Sequence, residues 1–294
     1  MKSIVYYSKN LTGEELVNMY KLLGKELSGN IAIKVHSGEE GNQNYLKPEF
    51  MKPMIDYLNG TVVECNTAYP GERNTTEKHL KTIERHGWSK IFKFDLLDET
   101  GPDMVLPIKN GTHLNENYVG KKLNKYDSML VISHFKGHPM GGYGGALKQL
   151  SIGCASSVGK AWIHSAGTNK DQYTLWNNLP KQDDFLESMA EAASSVVDFF
   201  KGNMVFINVM ANMSIDCDCC EVAEDPCLED MGILISLDPV AIDKACIDLV
   251  KNSNDPGKDH FMERVKSRHG THTIDKAEEL GIGSKDYELI IVNN

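Results

Sequence analysis

The chain has 294 residues, 41% of them hydrophobic and 24% charged, ordinary proportions for a globular protein built as one large α/β domain or as two smaller lobes around a sizeable core. No apolar run approaches the roughly 18 to 20 residues that span a bilayer, and MKSIVYYSKN lacks the apolar stretch of a secretory leader. A net charge of −10 without any basic block argues against a groove that tracks phosphates, so the expectation is a cytoplasmic protein with no membrane and no nucleic-acid partner.

In chain order, short apolar runs rich in Val and Ile read as buried strands at SIVYYS, IAIKVH, TVVEC, SMLVISHF, MVFINVM, GILISL and YELIIV. Helical patterns separate several of them. GEELVNMYKLLGKEL follows the first strand, PEFMKPMIDYLNG places Pro48 in a first turn, and TTEKHLKTIERHG pairs a Thr cap with a closing glycine. Late in the chain SLDPVAIDKACIDLVKN sets Asp238 as N-cap and Pro239 at N1. This alternation predicts an α/β fold with a mostly parallel sheet flanked by helices, as a single domain over 1–294 or as two lobes. The polar, aperiodic stretch 166–184 reads as a long loop or insertion point.

Two segments carry chemistry. The first, GGYGGALKQLSIGCASSVGKAWIHS at 141–165, closely follows a strand, where ligands collect at the carboxyl edge of α/β sheets. Gly141, Gly142, Gly144 and Gly145 permit close backbone approach to a ligand, and the helix begun by ALKQL would point its amides at an anion. It is neither a Walker A loop nor GxGxxG. A tight turn with Lys148 as a surface charge is the plainer reading, but His134, His138 and His164 flank the segment, and neutral imidazoles bind metals or move protons. Among them Lys148 would hold a carboxylate, or act as a nucleophile if desolvated. His36, after IAIKVH, falls at the same predicted sheet edge.

The second segment is IDCDCCEVAEDPCLED at 215–230, where four of the chain's seven cysteines lie within eleven residues. Such clustering points to metal or redox chemistry rather than disulfides in a reducing compartment. The spacing matches neither ferredoxin nor zinc-knuckle patterns. Vicinal Cys219 and Cys220 seldom both reach one ion, which predicts a site from Cys217, one of that pair, Cys227 and an outside ligand such as His164. The alternative is a turn with small buried thiols. Asp216, Asp218, Asp225 and Asp230 either solvate the loop or, for Asp216 and Asp230, orient a ligating histidine.

With IAIKVHSGEEGN, CNTAYPGERNTTEKHL, VISHFKGH, GGYGGALKQLSIGCASSVGK, CDC and DMGILISLDPVAIDKACIDLV in order along it, nearly the whole chain resembles the uncharacterised Fe–S center family, the domain-of-unknown-function family numbered 362. Many members carry a ferredoxin-like cassette soon after the histidine that matches His164; here AGTNKDQYTLWNNLPKQDD stands in its place without a cysteine. Over about thirty residues the order His134, GGALKQLSIG, His164 is also similar to the nickel-pincer lactate racemase family. That resemblance implies Lys148 as the residue holding the cofactor, His164 as nickel ligand and His134 as acid/base. The loop departs from that family in reading SIG where a proline usually precedes the glycine.

The expectation is a metal- or cluster-dependent redox enzyme acting on a small anionic molecule, its cofactor an Fe–S cluster or an iron, zinc or nickel ion, with a ferredoxin-like protein as possible electron-transfer partner. Two alternatives stand beside it: a 2-hydroxy-acid racemase or epimerase with a lysine-bound cofactor, and a noncatalytic metal-binding or sensing module.

Overall fold

The structure is a computed structural model and describes residues 2–101 and 103–292. β1 (Ser3–Ser8) leads into α1 (Gly13–Leu22), where the Thr12 side chain accepts from the Glu15 amide as N-cap. β2 (Ile31–Lys34), α2 (Pro48–Leu58), β3 (Thr61–Glu64) and α3 (Thr76–Arg85) follow, with Pro48 and the Thr75 cap at their predicted places. A short α4 (Trp88–Ile91) and β4 (Phe94–Leu96) precede the hairpin of β5 (Met104–Pro107) and β6 (Glu116–Val119). Next come β7 (Ser128–His134), a second small hairpin of β8 (Lys136–His138) and β9 (Gly142–Gly144), then α5 (Ala146–Cys154) and α6 (Ser157–His164). The chain ends through α7 (Gln182–Phe200), β10 (Met204–Met210), β11 (Gly232–Ser236), α8 (Pro239–Asn252), α9 (Lys258–Ser267), α10 (His272–Glu279) and β12 (Tyr287–Ile291).

Eight strands form one sheet in the order β12-β1-β11-β10-β7-β2-β3-β4. All neighbouring pairs are parallel except the two made by β11, which runs antiparallel to β1 and to β10. The fold is therefore α/β with a mostly parallel sheet flanked by helices. Because successive strand residues face opposite sides, Met129 and Val131 of β7 join the core with Leu147 and Leu150 of α5, while Leu130 and Ile132 join the core with Met51 and Met54 of α2. Both faces are covered, which is why the strands read as continuous apolar runs.

The same alternation delivers polar groups to chosen faces. Ala32 and Lys34 share the α5 side of β2, and Lys34 ends buried against Gln149 of that helix. Asn208 of β10 likewise reaches Asp243 of α8 at 2.8 Å.

Asp243 decides the start of α5. No side chain at Gly145 caps that helix; instead the fully buried Asp243 carboxylate accepts from the amides of Ala146 (2.7 Å) and Leu147 (3.0 Å) and from the Tyr143 hydroxyl (3.2 Å). Burial raises its pKa to about 6 despite those donors. Asp243→Ala strands four buried donors at once, so urea unfolding should show a loss of about 2–4 kcal/mol; a loss below about 0.5 kcal/mol would contradict this role.

Candidate functional site

Strands β2, β3, β7 and β10 are mutually parallel, so their carboxyl ends open at one edge, where α/β folds place ligands. Four connections converge there. Residues 35–47, 65–75, 135–145 and 211–231 follow those strands and supply most of the site's polar groups.

The 211–231 connection contains Cys217-Asp218-Cys219 in a tight turn closed by the Cys220 amide on the Cys217 carbonyl (2.9 Å), with the carboxylate on His134 and Lys136 and the thiols beside His138. Asp218 is 1% exposed. One of its oxygens lies 2.8 Å from His134 Nδ1, and the other is in ionic contact with Lys136 Nζ at 2.9 Å and 4.0 Å from His36 Nδ1. Burial alone would raise its pKa; His134 and Lys136 outweigh it and hold the carboxyl well below the usual range. His134 Nε2 donates to the Ala211 carbonyl at 2.6 Å, so both ring nitrogens are engaged and the ring is 3% exposed.

The segment 39–44 fastens the cysteine loop from its other side. Glu39 donates its amide to the Asp218 carbonyl (2.8 Å), Asn42 its side-chain amide to the Cys220 carbonyl (2.8 Å), and Gln43 and Asn44 reach Ala223 and Glu224. The stretch HSGEEGNQN is a clamp for the cysteine loop.

Thus held, Cys217 and Cys219 face His138 at the end of β8. The imidazole nitrogen and the two sulfurs lie within 4.8 Å of one another, and this His/Cys cluster could hold a metal. Burial pushes the Cys217 thiol up to about 11, and a bound cation reverses that preference by favouring thiolate. His138 Nδ1 accepts from the amides of Gly141 (2.8 Å) and Met140 (3.2 Å), so the neutral ring carries its proton on Nε2, 3.9 Å from Cys219 Sγ. Ligation through Nε2 requires that proton to move to Nδ1, in place of the two amide bonds accepted there, while the thiols lose theirs.

Cys219 and His138 also line a cavity of about 220 Å³. Lys34, Lys148 and Lys160 line it too, without a carboxylate partner among the described residues. Lys34 Nζ donates to the Val35 carbonyl and weakly to Gln149 (3.4 Å), Lys160 Nζ to the Ala155 carbonyl (2.6 Å). Burial lowers the Lys34 pKa. The fourth cation, Arg73, is already neutralised: it donates to Glu64 (2.9 Å), Glu39 (3.3 Å) and the Tyr69 hydroxyl (2.8 Å). Glu64 sits far below its usual pKa because Arg73 and His79 overcome its burial.

The sequence-expected residues separate in space. Lys148 and His164 line the cavity, as does His36. His164 is not in the thiol cluster; its Nδ1 donates to the Lys160 carbonyl at 2.7 Å and its ring stacks on Phe185. Burial depresses its pKa to about 4, so the ring is neutral. The imidazole beside the thiols is His138. Cys220 and Cys227 stand outside the cluster, Cys227 half-buried against the Met213 carbonyl. His134 faces Asp218 rather than the cavity.

None of the four glycines lines the cavity. Gly142 adopts φ +79 where its α-carbon packs on Gly270, and a Cβ at Gly145 would collide with the Asp243 carboxylate. Gly144 and Gly145 border a smaller recess with Lys148. The amides of Ala146 and Leu147, expected to attract an anion, are bonded to Asp243. Lys34, Lys160, Arg73, Glu64 and the anchoring role of Asp218 escaped sequence reading. The one available signal was a lysine and a glutamate ending otherwise apolar strands, IAIK and TVVE.

The model of a domain of unknown function, DUF362, matches residues 31–248. The chain belongs to the DUF362 family. No curated protein matches it. Among solved structures, this DUF362 chain is similar to the lactate racemase apoprotein from Thermoanaerobacterium thermosaccharolyticum at 13% identity and a TM-score of 0.42, over 71% of this chain and 51% of that one. A Thermotoga maritima protein is similar at 10% identity and a TM-score of 0.43, over 93% of this chain and 60% of that one. The chain thus spans between half and three-fifths of each neighbour, and no residue role is carried over from either. Within the described residues, no helix is long and apolar enough to cross a membrane.

Asp218→Asn leaves His134 and Lys136 without their buried counter-charge, and thermal unfolding at neutral pH should report a loss of about 3–5 kcal/mol. The sign with pH follows from the depressed carboxyl: the stabilisation is complete above about pH 4, the unfolded pKa, and fades as pH falls toward the lower folded value. The gap between wild type and variant should therefore close in acid; a gap that widens below pH of about 4 would refute the ion-pair account.

Proposed function

We propose that this DUF362 chain is an enzyme in which a metal ion held by Cys217 and Cys219, with His138 as third donor, acts on a small anionic molecule in the lysine-lined cavity. The observation that carries this reading is the shared wall: Cys219 and His138 border the same space as Lys34, Lys148 and Lys160. Two thiolates and an imidazole leave a coordination position open, and an ion bound there supplies Lewis-acid or electron-transfer chemistry next to the anion.

The chain's own residues do the remaining work. The lysines draw the anion in and fix its orientation. Ile152, Ala68, Met140 and Trp176 form the apolar part of the wall and limit water, which strengthens each charge contact. His164 has its Nδ1 proton committed to Lys160, so its other nitrogen is an acceptor on a cavity-lining ring, placed to take a hydrogen bond from the bound molecule.

Metal analysis for iron, zinc and nickel, with acid-labile sulfide, on protein purified anaerobically without chelator tests the reading. About one ion per chain is expected, lost in Cys217→Ser and Cys219→Ser and retained in Cys227→Ser, whose sulfur lies outside the cluster. Metal-free wild type, or retention in both of the first two variants, would overturn it.

The proton on His138 Nε2 favours a second reading. It faces Cys219 as a donor to sulfur, although, against the hydrogen bond with Cys217, that with Cys220 and burial raise the Cys219 thiol to about 11, and Cys217 and Cys219 would then cycle between dithiol and disulfide. Each oxidation gives up two electrons and two protons, the electrons passing to a ferredoxin-like partner. Metal-free protein that accumulates a Cys217–Cys219 disulfide, seen by peptide mass, is its signature; metal-loaded protein with both thiols ligated excludes it.

A further inference from the structure

The charges around the cavity go further than an anion of unspecified kind. Four cationic side chains border it, Lys34, Arg73, Lys148 and Lys160, against the two carboxylates of Glu64 and Glu39 that Arg73 holds. Four less two leaves an excess of two positive charges. Lys34 is fully buried and Lys160 is 6% exposed, so bulk water does not offset the cost of these charges as it does for surface lysines.

Hydrogen bonding repeats the pattern. An ammonium has three donors, yet Lys160 Nζ has one acceptor, the Ala155 carbonyl, and Lys34 Nζ has the Val35 carbonyl and a long contact to Gln149. Lys148 has no hydrogen-bond or ion-pair partner among the described residues. Donors left over in a cavity are donors for a ligand.

The cations also fall into two groups. Lys34 Nζ lies against Gly153 and Lys160 Nζ on the Ala155 carbonyl, both at the carboxyl end of α5, whereas the Lys148 side chain packs at Gly144, before the amino end of that helix. Ile152 and Ala68 add apolar wall to the same cavity. Size narrows the class again. A cavity of about 150 Å³ admits benzene, so 220 Å³ holds about nine non-hydrogen atoms, the size of a small metabolite.

We propose that the ligand is a small dianion with separated anionic groups, a dicarboxylate or a phosphorylated carboxylate of about nine non-hydrogen atoms, bridging the Lys34–Lys160 pair at one end and Lys148 at the other. This rests on the reading above that the cavity takes an anion. In this arrangement one anionic group lies beside the cysteine cluster and the other anchors the molecule away from it. The anchoring group gives binding energy remote from the reacting end, which discriminates a dianion from a monoanion of the same length.

Isothermal titration of the full chain with succinate, malate and phosphoglycolate, set against butyrate, lactate and inorganic phosphate, tests this, with metal content measured on every sample. At least one two-ended anion should bind about tenfold or more tighter than its one-ended counterpart, because a single charge-assisted hydrogen bond is worth that factor, and the preference should shrink at high salt. Lys160→Met and Lys148→Met should each remove the preference while circular dichroism remains native. Lys148, half-buried at the cavity wall, keeps the test available if Lys160→Met does not fold. Equal binding of one-ended and two-ended anions, or a preference that survives both substitutions, would overturn the dianion assignment and leave the anion reading standing. If none of these anions binds, both fall, whatever the metal content shows.

Discussion

A buried carboxylate between two cysteines organises this site. Asp218 lies against His134 and Lys136 with 1% of its surface exposed, and burying such a charge is tolerable only where its counter-charges are fixed as closely. Those partners come from the end of β7 and the start of β8, so the pairing ties the cysteine loop to the central parallel strands. In the turn closed by the Cys220 amide on the Cys217 carbonyl, the anchored aspartate leaves Cys217 and Cys219 beside His138. The loop's position therefore derives from electrostatics in the sheet edge, with the 39–44 clamp holding its backbone from the opposite side. Stability and chemistry depend here on the same residue.

The cavity next to it obeys the opposite rule. Whereas Asp218 and Glu64 have cationic partners in direct contact, Lys34, Lys148 and Lys160 line a shared space whose carboxylate, Glu64, is held by Arg73. A stable interior would not leave ammonium groups this way. Charge held in excess at a cavity is a cost in the free protein that a ligand of opposite sign relieves.

Much of the scaffold was legible in the sequence because it follows local rules. Pro48 and Pro239 start helices, Thr75 and Asp238 cap them, and the Val- and Ile-rich runs form the strands. The reversal of β11 and the two hairpins were not legible, since pairing direction depends on contacts distant in sequence. Nor was α7, Gln182–Phe200, whose start carries no capping signal: Lys181 stands at its N-cap and makes no side-chain cap bond. At the site, the cysteine segment, Lys148 and the flanking histidines stood out as residue types, but which imidazole meets the thiols is a question of three dimensions. His164 was the sequence-based choice and His138 is the neighbour, because α6 carries His164 onto Phe185. The glycines attracted attention for ligand approach, whereas Asp243, 97 residues beyond Ala146, occupies the amides they were expected to present.

The central claim is that Cys217 and Cys219 jointly hold a metal beside the cavity, and X-ray absorption at the edge of the metal found in the protein tests it most directly. The account predicts two sulfur neighbours at about 2.3 Å with nitrogen or oxygen completing the shell at about 2.0–2.2 Å, and loss of one sulfur neighbour in Cys219→Ser. A shell without sulfur, or one of four sulfurs with a metal–metal distance, would contradict it.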